Sequence, residues 1–380
     1  MKKILYIYGN LPAYREDFFT QLSSRLRENG VELKVMYGYI ANKLTRQAEG
    51  RAFISQKFKT KLYHLKLFRL SRLIGLMQVV KDEHPDGIIF QFNQTNLTEW
   101  RILHWCLNNH IPYGIWGCNY TRFDLKAFLI KIRNLIYGYV YRHANICIPY
   151  GSLYHDFLVK SGVPEERVIT AQNTIDVESI SAREKDFLPK KYNNDVITRI
   201  LYVGALAVQK RIDSSIEAIS QLIIEGENIQ YDIVGGGEQL ESLKHQHEGL
   251  PEEVKEHIRL HGAKYDNDLI PFFRNADIFL MPGTGGLGVN EAMAYGLPII
   301  STIGDETIVD LIDGNGYLLH KMGDVEEQKK AIRQFLKLSP DEKNAMSKRS
   351  TDIVIQRASL ENMVNKHLEA IIKMIDTSVR

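Results

Sequence analysis

No run of 18 or more apolar residues occurs in this 380-residue chain, which excludes a membrane-spanning helix of ordinary length. Cysteine is scarce, with only Cys106, Cys118 and Cys147 present. Three thiols give no even framework and no CxxC pair, so neither disulfides nor structural zinc are expected, and a reducing cytoplasm fits. A repeat of fixed period and low-complexity tracts are also missing. No glycine-rich loop runs into Lys-Ser/Thr, which excludes a Walker site, and Tyr8-Gly9-Asn10-Leu11-Pro12 is no GxGxxG fingerprint. No Asp-x-Asp pair closes a strand, so nothing argues for a metal.

What is present is ordinary for a globular protein of two domains: 44% hydrophobic and 25% charged residues. The opening Met1-Lys2-Lys3 and Ile4–Tyr8 resemble a signal peptide, but Gly9-Asn10-Leu11-Pro12 ends the apolar run too early, and a buried first strand is the better reading. The net charge of +2 hides an asymmetry. Residues 1–180 hold 24 Lys/Arg against 15 Asp/Glu, or +9, and the remainder 24 against 31, or −7. Either two domains meet different partners or surface charge is simply scattered.

Short apolar runs alternate with helical patterns in the first half. Strands are expected at 3–8, 32–37, 87–91, 111–116, 145–149 and 167–171, and helices at 14–28, 70–82, 97–109, 123–142 and 151–161. The polar stretch 40–62 reads as a loop and 176–198 as a linker. The alternation restarts at Arg199–Gly204, with strands near 230–234, 257–261, 277–281, 298–302 and 316–319. Helices at 323–337, 340–355 and 359–376 close the chain. The expectation is an α/β protein of two doubly wound parallel sheets facing a central cleft. Its domains would be 1–180 and 181–357, with 358–380 packing back toward the first.

Ligands of doubly wound sheets bind beyond the carboxyl ends of the strands. Past the strand ending at Gly204, Lys210 and Arg211 open a helix where a diphosphate could meet them, or are solvated first-turn residues. Gly235-Gly236-Gly237 permits close backbone approach and reads as a structural turn. The loop His261-Gly262-Ala263-Lys264-Tyr265 could offer backbone groups to a base. The strongest signal is Gly283, Gly285, Gly286, Leu287 and Gly288 leading into a helix that carries Glu291. Glycine-loop amides and a helix start suit an anion, and Glu291 could accept hydrogen bonds from a ribose. Packing glycines and a favourable acidic first turn are the alternative.

At these residues the chain resembles glycosyltransferase family 4, retaining enzymes of the two-domain GT-B fold. Order and spacing agree best over 199–320: Val203-Gly204, Lys210, Ile233-Val234-Gly235, Ala276-Asp277, Pro282, Glu291–Pro298 and Asp313–Gly316. Asn173-Thr174-Ile175-Asp176 and Gly9–Arg15 also look like the family. The resemblance implies that Glu291 is the second glutamate of the Glu-x7-Glu motif and binds the nucleotide ribose. Lys210 then neutralises the donor diphosphate, the amides of 286–288 face donor sugar and phosphate, and Ala263 falls where the base is met. There are departures. The first glutamate falls on Gly283, the usual arginine on Ala205, and a histidine of the N-terminal domain is replaced by Trp116–Tyr120.

The implied activity moves a hexosyl group from a nucleotide-diphosphate sugar to a saccharide or lipid-linked saccharide, with retention. Lys210 and Glu291 would carry it, without cofactor, metal or nucleic acid. Tyr14, Arg15 and Asn119 are expected on the acceptor side. Basic residues among apolar ones at 57–72 and 122–142 suit an anionic membrane face, or helices packed on their own sheet. A nucleotide-sugar epimerase and a non-catalytic sugar-nucleotide-binding subunit are the rival readings.

Overall fold

The computed structural model describes residues 1–39, 52–64, 69–117, 127–193, 197–304 and 306–376. Its contacts divide the chain into two units, one of Met1–Gln172 with Glu361–Arg380, the other Asn173–Leu360. The expected boundaries lay at 180 and 357.

The first unit is built on strands β1 (Lys2–Tyr8), β2 (Val31–Tyr39), β3 (Ser55–His64), β4 (Arg69–Leu73), β5 (Gly87–Phe90), β6 (Tyr113–Trp116) and β7 (Ile146–Ile148). Their order is β4-β3-β2-β1-β5-β6-β7, parallel except for β4 against β3. Strands β1, β5 and β6 read as largely apolar runs, as expected where helices cover both faces, and Ile4 through Tyr8 are all buried. The helices are α1 (Glu16–Glu28), α2 (Leu76–Asp82), α3 (Leu97–Asn108), α4 (Ala127–His143) and α5 (Ser152–Lys160), with the chain's last helix, Leu360–Asp376, added by its residues from Glu361 on. One face packs Tyr6, Phe18, Phe19 and Trp116 edge to face. His367 of the last helix joins them 4.9 Å from Trp116.

Three expectations for this unit are corrected. The polar stretch 40–62 is no loop at 55–62, because Phe58 points into the core between exposed Lys57 and Lys59 in strand alternation; residues 40–51 lie outside the described part. The expected helix 70–82 splits at Gly75, whose φ of +82° starts α2 after β4 has ended. The expected strand 167–171 is reduced to one bridge between Cys147 and Val168.

The second unit carries β8 (Thr198–Val203), β9 (Ile229–Val234), β10 (Ile258–Leu260), β11 (Ile278–Met281), β12 (Ile299–Thr302) and β13 (Gly316–Leu319). They lie in the order β10-β9-β8-β11-β12-β13, every pair parallel. The helices are α6 (Val177–Arg183), α7 (Ile212–Ile224), α8 (Leu240–Glu248), α9 (Glu252–Lys255), α10 (Ile270–Asn275), α11 (Gly288–Ala294), α12 (Ile308–Leu311), α13 (Val325–Leu336) and α14 (Pro340–Arg357). The segment read as a linker is part of this unit. Asp176 caps α6 by accepting from the Ser179 N–H at 3.0 Å, so a charged stretch becomes an ordered helix.

Helix α11 ends at Tyr295-Gly296-Leu297-Pro298. The Leu297 N–H reaches Ala292 O at 3.0 Å and the Gly296 N–H reaches Met293 O at 2.9 Å, with Gly296 at φ +74°. This double closure needs a left-handed residue at Gly296. A Cβ there would also stand 2.8 Å from Ser347 Oγ. Gly296→Ala is expected to cost about 1–2 kcal/mol, read as a lower midpoint in urea with an unchanged slope.

Candidate functional site

The strand ends of the second unit are joined by main chain. The Gly204 N–H donates to Val234 O at 3.0 Å, the Gly235 N–H to Gly262 O at 2.9 Å and the Leu206 N–H to Gly236 O at 2.9 Å. A Cβ on Gly235 would lie 1.9 Å from Gly204 O, and one on Gly237 2.3 Å from Leu206 O. These glycines are therefore required by close approach, the structural reading of that loop. Ala263 packs against Gly236, its Cβ 3.2 Å from where a Cβ would stand.

On the other side of β8 the loop after β11 folds onto the short turn Val208–Lys210. The Thr284 N–H donates to Gln209 O at 2.9 Å, and Lys210 Nζ donates to Thr284 O at 2.7 Å and Gly285 O at 2.8 Å. A Cβ at Gly283 would stand 2.3 Å from Gln209 O and 2.5 Å from Lys210 O. Position 283 therefore has no room for a side chain, which gives the missing glutamate a steric reason. The Thr302 hydroxyl donates to Gly283 O, and Gly304 presses on Gly285. Lys210 Nζ stands 3.5 Å from where a Cβ on Gly286 would be. Among the described residues the N–H groups of Gly286 and Leu287 meet no acceptor, and both residues keep partial exposure.

Lys210 and Arg211 do not act as a pair. Arg211 sits at φ +54°, and its guanidinium turns to the Gly323 turn and to Asp213 at 3.4 Å. The Gly323 N–H in turn donates to Pro282 O at 2.9 Å. Arg211 thus braces the neighbouring loop rather than joining Lys210 at the 284 and 285 carbonyls.

Glu291 stands on α11, one turn beyond the loop. Its carboxyl has no hydrogen-bond or ion-pair partner among the described residues, and burial pushes its pKa up to about 7. Arg183 pulls the value down and Asp266 pushes it up. The side chain keeps partial surface exposure. Its neighbour Asn290 is buried and donates to Asn173 O at 3.2 Å and Thr174 Oγ1 at 3.3 Å. Within the pattern Asn173–Asp176, Asn173 and Thr174 accept from this helix and Asp176 caps α6.

In the first unit, Tyr14 is exposed, Asn119 lies outside the described residues, and Arg15 is buried. The Arg15 guanidinium lies 5.0 Å from the ring centres of both Tyr14 and Trp116, and Nη1 donates to Met363 Sδ at 3.6 Å. Burial, together with the nearby cation, pushes the His367 pKa down to about 3. A cation at a helix start read from sequence as acceptor-facing is thus a core group held by aromatic faces.

Two stability measurements follow from these environments. Arg15→Ala should lose about 3 kcal/mol by chemical denaturation, whereas an acceptor contact would leave stability intact. Glu291 has a folded pKa of about 7 against an ordinary 4.5, so the folded state holds the proton more tightly than the unfolded chain. Its ionisation costs stability above pH 7, and the cost vanishes below pH 4.5. Glu291→Gln is expected to stabilise by about 1–3 kcal/mol at pH 8, with melting temperatures converging toward the parent at pH 5.

Residues 184–352 match the family described as group 1 glycosyl transferases. A putative colanic acid biosynthesis glycosyltransferase, WcaL of Escherichia coli (strain K12), is 24% identical over 253 residues, 63% of this chain. The amylovoran biosynthesis glycosyltransferase AmsK of Erwinia amylovora is 26% identical over 244 residues, 61% of this chain. The chain spans 59% and 56% of their lengths. Among solved structures, Anabaena Alr3699/HepE in complex with UDP superposes with a TM-score of 0.70 at 14% identity, covering 98% of this chain and all of that one. The lipopolysaccharide outer core galactosyltransferase WaaB in its apo form gives 0.67 at 15%, covering 97% and 99%. The match to the group 1 glycosyl transferases lies within the second unit, and the fold is GT-B.

Proposed function

We propose that the protein is a retaining glycosyltransferase. It moves a hexosyl group from a nucleotide-diphosphate sugar to a saccharide or lipid-linked saccharide in surface polysaccharide assembly. The observation that carries this reading is the convergence on one loop of three groups suited to a donor. They are the Lys210 ammonium against the 284–285 carbonyls, the unengaged amides of Gly286 and Leu287, and the unpartnered Glu291 carboxyl. The names of the relatives support polysaccharide synthesis, and the UDP complexes of a structural neighbour make UDP the first nucleotide to test.

Charge grows on the diphosphate as the bond to the anomeric carbon breaks, so donors fixed beforehand are the main source of stabilisation. Lys210 and the amides of 286–288 would supply it without a metal, while Glu291 accepts from the ribose. Gly204, Gly283, Gly285 and Ala263 complete the donor side, with Arg211 bracing the loop. Tyr14 and Asn119 remain candidates for the acceptor. The non-catalytic reading draws on the closed position 283, and an epimerase would convert its donor without any acceptor. Release of free nucleoside diphosphate only in the presence of acceptor decides for transfer.

The site is expected in the cytoplasm with peripheral contact to an anionic bilayer. That contact draws on exposed Lys57, Lys59 and Lys61 along one face of β3. Equal recovery with neutral and anionic vesicles at low salt would remove it. Glu291→Ala should weaken UDP binding by on the order of 1.5–3 kcal/mol in calorimetry. Lys210→Ala should lower turnover more than it weakens UDP binding. Parent-like binding and turnover in both variants would put the donor site elsewhere.

A further inference from the structure

The segment 173–184 enters the second unit along α11 and touches that helix at two levels. At one, Asn290 reaches back to Asn173 and Thr174. At the other, Arg183 Nη2 donates to the hydroxyl of Tyr295, one turn past Glu291. Tyr295 is buried, with its ring stacked on Phe273 at 4.8 Å and an interplanar angle of 7°. The hydroxyl is therefore a fixed point rather than a mobile one.

Arg183 is itself held. Its Nε donates to Glu184 Oε1 at 3.0 Å, and the other oxygen of that buried carboxylate accepts from Arg274 Nε at 2.7 Å. Two cations thus share Glu184, a geometry that fixes both guanidinium planes. Arg183 therefore reaches Tyr295 from a fixed position, with Glu184 shared between it and Arg274. Helix α6, which ends at Arg183, is anchored at its start by the Asp176 cap and along its length by Glu178, which accepts from the Leu360 N–H at 3.0 Å.

We propose that Arg183 is a positioning residue for Glu291: through the Tyr295 hydroxyl it seats α11, and through its charge it favours the carboxylate that a ribose requires. This rests on the reading of Glu291 as the ribose-binding group. The charged groups acting on Glu291 are few. Arg183 of α6 favours ionisation, Asp266 of the 3-10 turn Asp266–Leu269 opposes it, and the Tyr295 hydroxyl lies on its own helix. Burial opposes ionisation most strongly, and among the described residues Arg183 is the cation that works against it. An ordinary surface arginine would have no bearing on donor affinity.

The test follows Glu291 itself. The full chain is labelled with carboxyl-¹³C glutamate, and the resonance lost in Glu291→Gln is titrated in ligand-free parent, Arg183→Met and Arg183→Lys. The expected result is an upward move of the Glu291 midpoint in Arg183→Met by about half a pH unit or more, with Arg183→Lys near the parent. UDP affinity measured from pH 5.5 to 8.5 should move its acid limb by the same amount. An Arg183→Met protein that melts cooperatively yet titrates at the parent midpoint overturns the proposal. A midpoint that moves while the acid limb of UDP binding stays put overturns its premise, the ribose contact, and leaves the coupling of the two side chains standing.

Discussion

The second unit depends on main chain touching main chain where its strands end. Gly235 lies against Gly204, Gly237 against Leu206, Gly283 against the Val208–Lys210 turn, and Gly304 against Gly285. None of these contacts tolerates a Cβ, so the loops are set by the absence of side chains rather than by their presence. The one cation among them, Lys210, then has carbonyls of the loop as its partners. The glycines decide where the loop lies, and the lysine decides how firmly it stays. The Gly286 and Leu287 amides that remain open are what such packing leaves over.

The same compactness sets a cost on Glu291. A carboxyl against the packed end of α11 is desolvated, and the attraction of Arg183 offsets only part of that. Functional groups held at the expense of stability are common where a ligand supplies the missing partner. The first unit shows the opposite solution in Arg15, which is buried outright and enclosed by Tyr14, Trp116 and Met363.

Much of the architecture was legible because parallel strands buried on both faces leave continuous apolar runs. β1, β5 and β6 in the first unit and β8, β11 and β12 in the second fall where such runs lie. β3 was not, since a strand with one face exposed shows Lys57, Lys59 and Lys61 where the eye looks for apolar residues, and only Phe58 betrays the period. The loop after β11 was visible as glycines before a helix. Its steric logic was not, because the partner of Gly283 lies some seventy positions earlier. Arg15 misled for the same kind of reason: the ring of Trp116 and the sulfur of Met363 that accept it are distant in sequence.

The first unit recruits its last helix only after the chain has passed through the whole of the second. Tyr6, Phe18 and Trp116 pack with His367, so a nascent chain emerging from the ribosome holds an unfinished face for as long as the intervening 188 residues, Asn173–Leu360, are being made. Domains fold during synthesis as their residues become available. Here the unit begun second is completed first, and the aromatic face of the first waits for its cover. During that interval the aromatic face lacks the helix that packs on it in the finished unit.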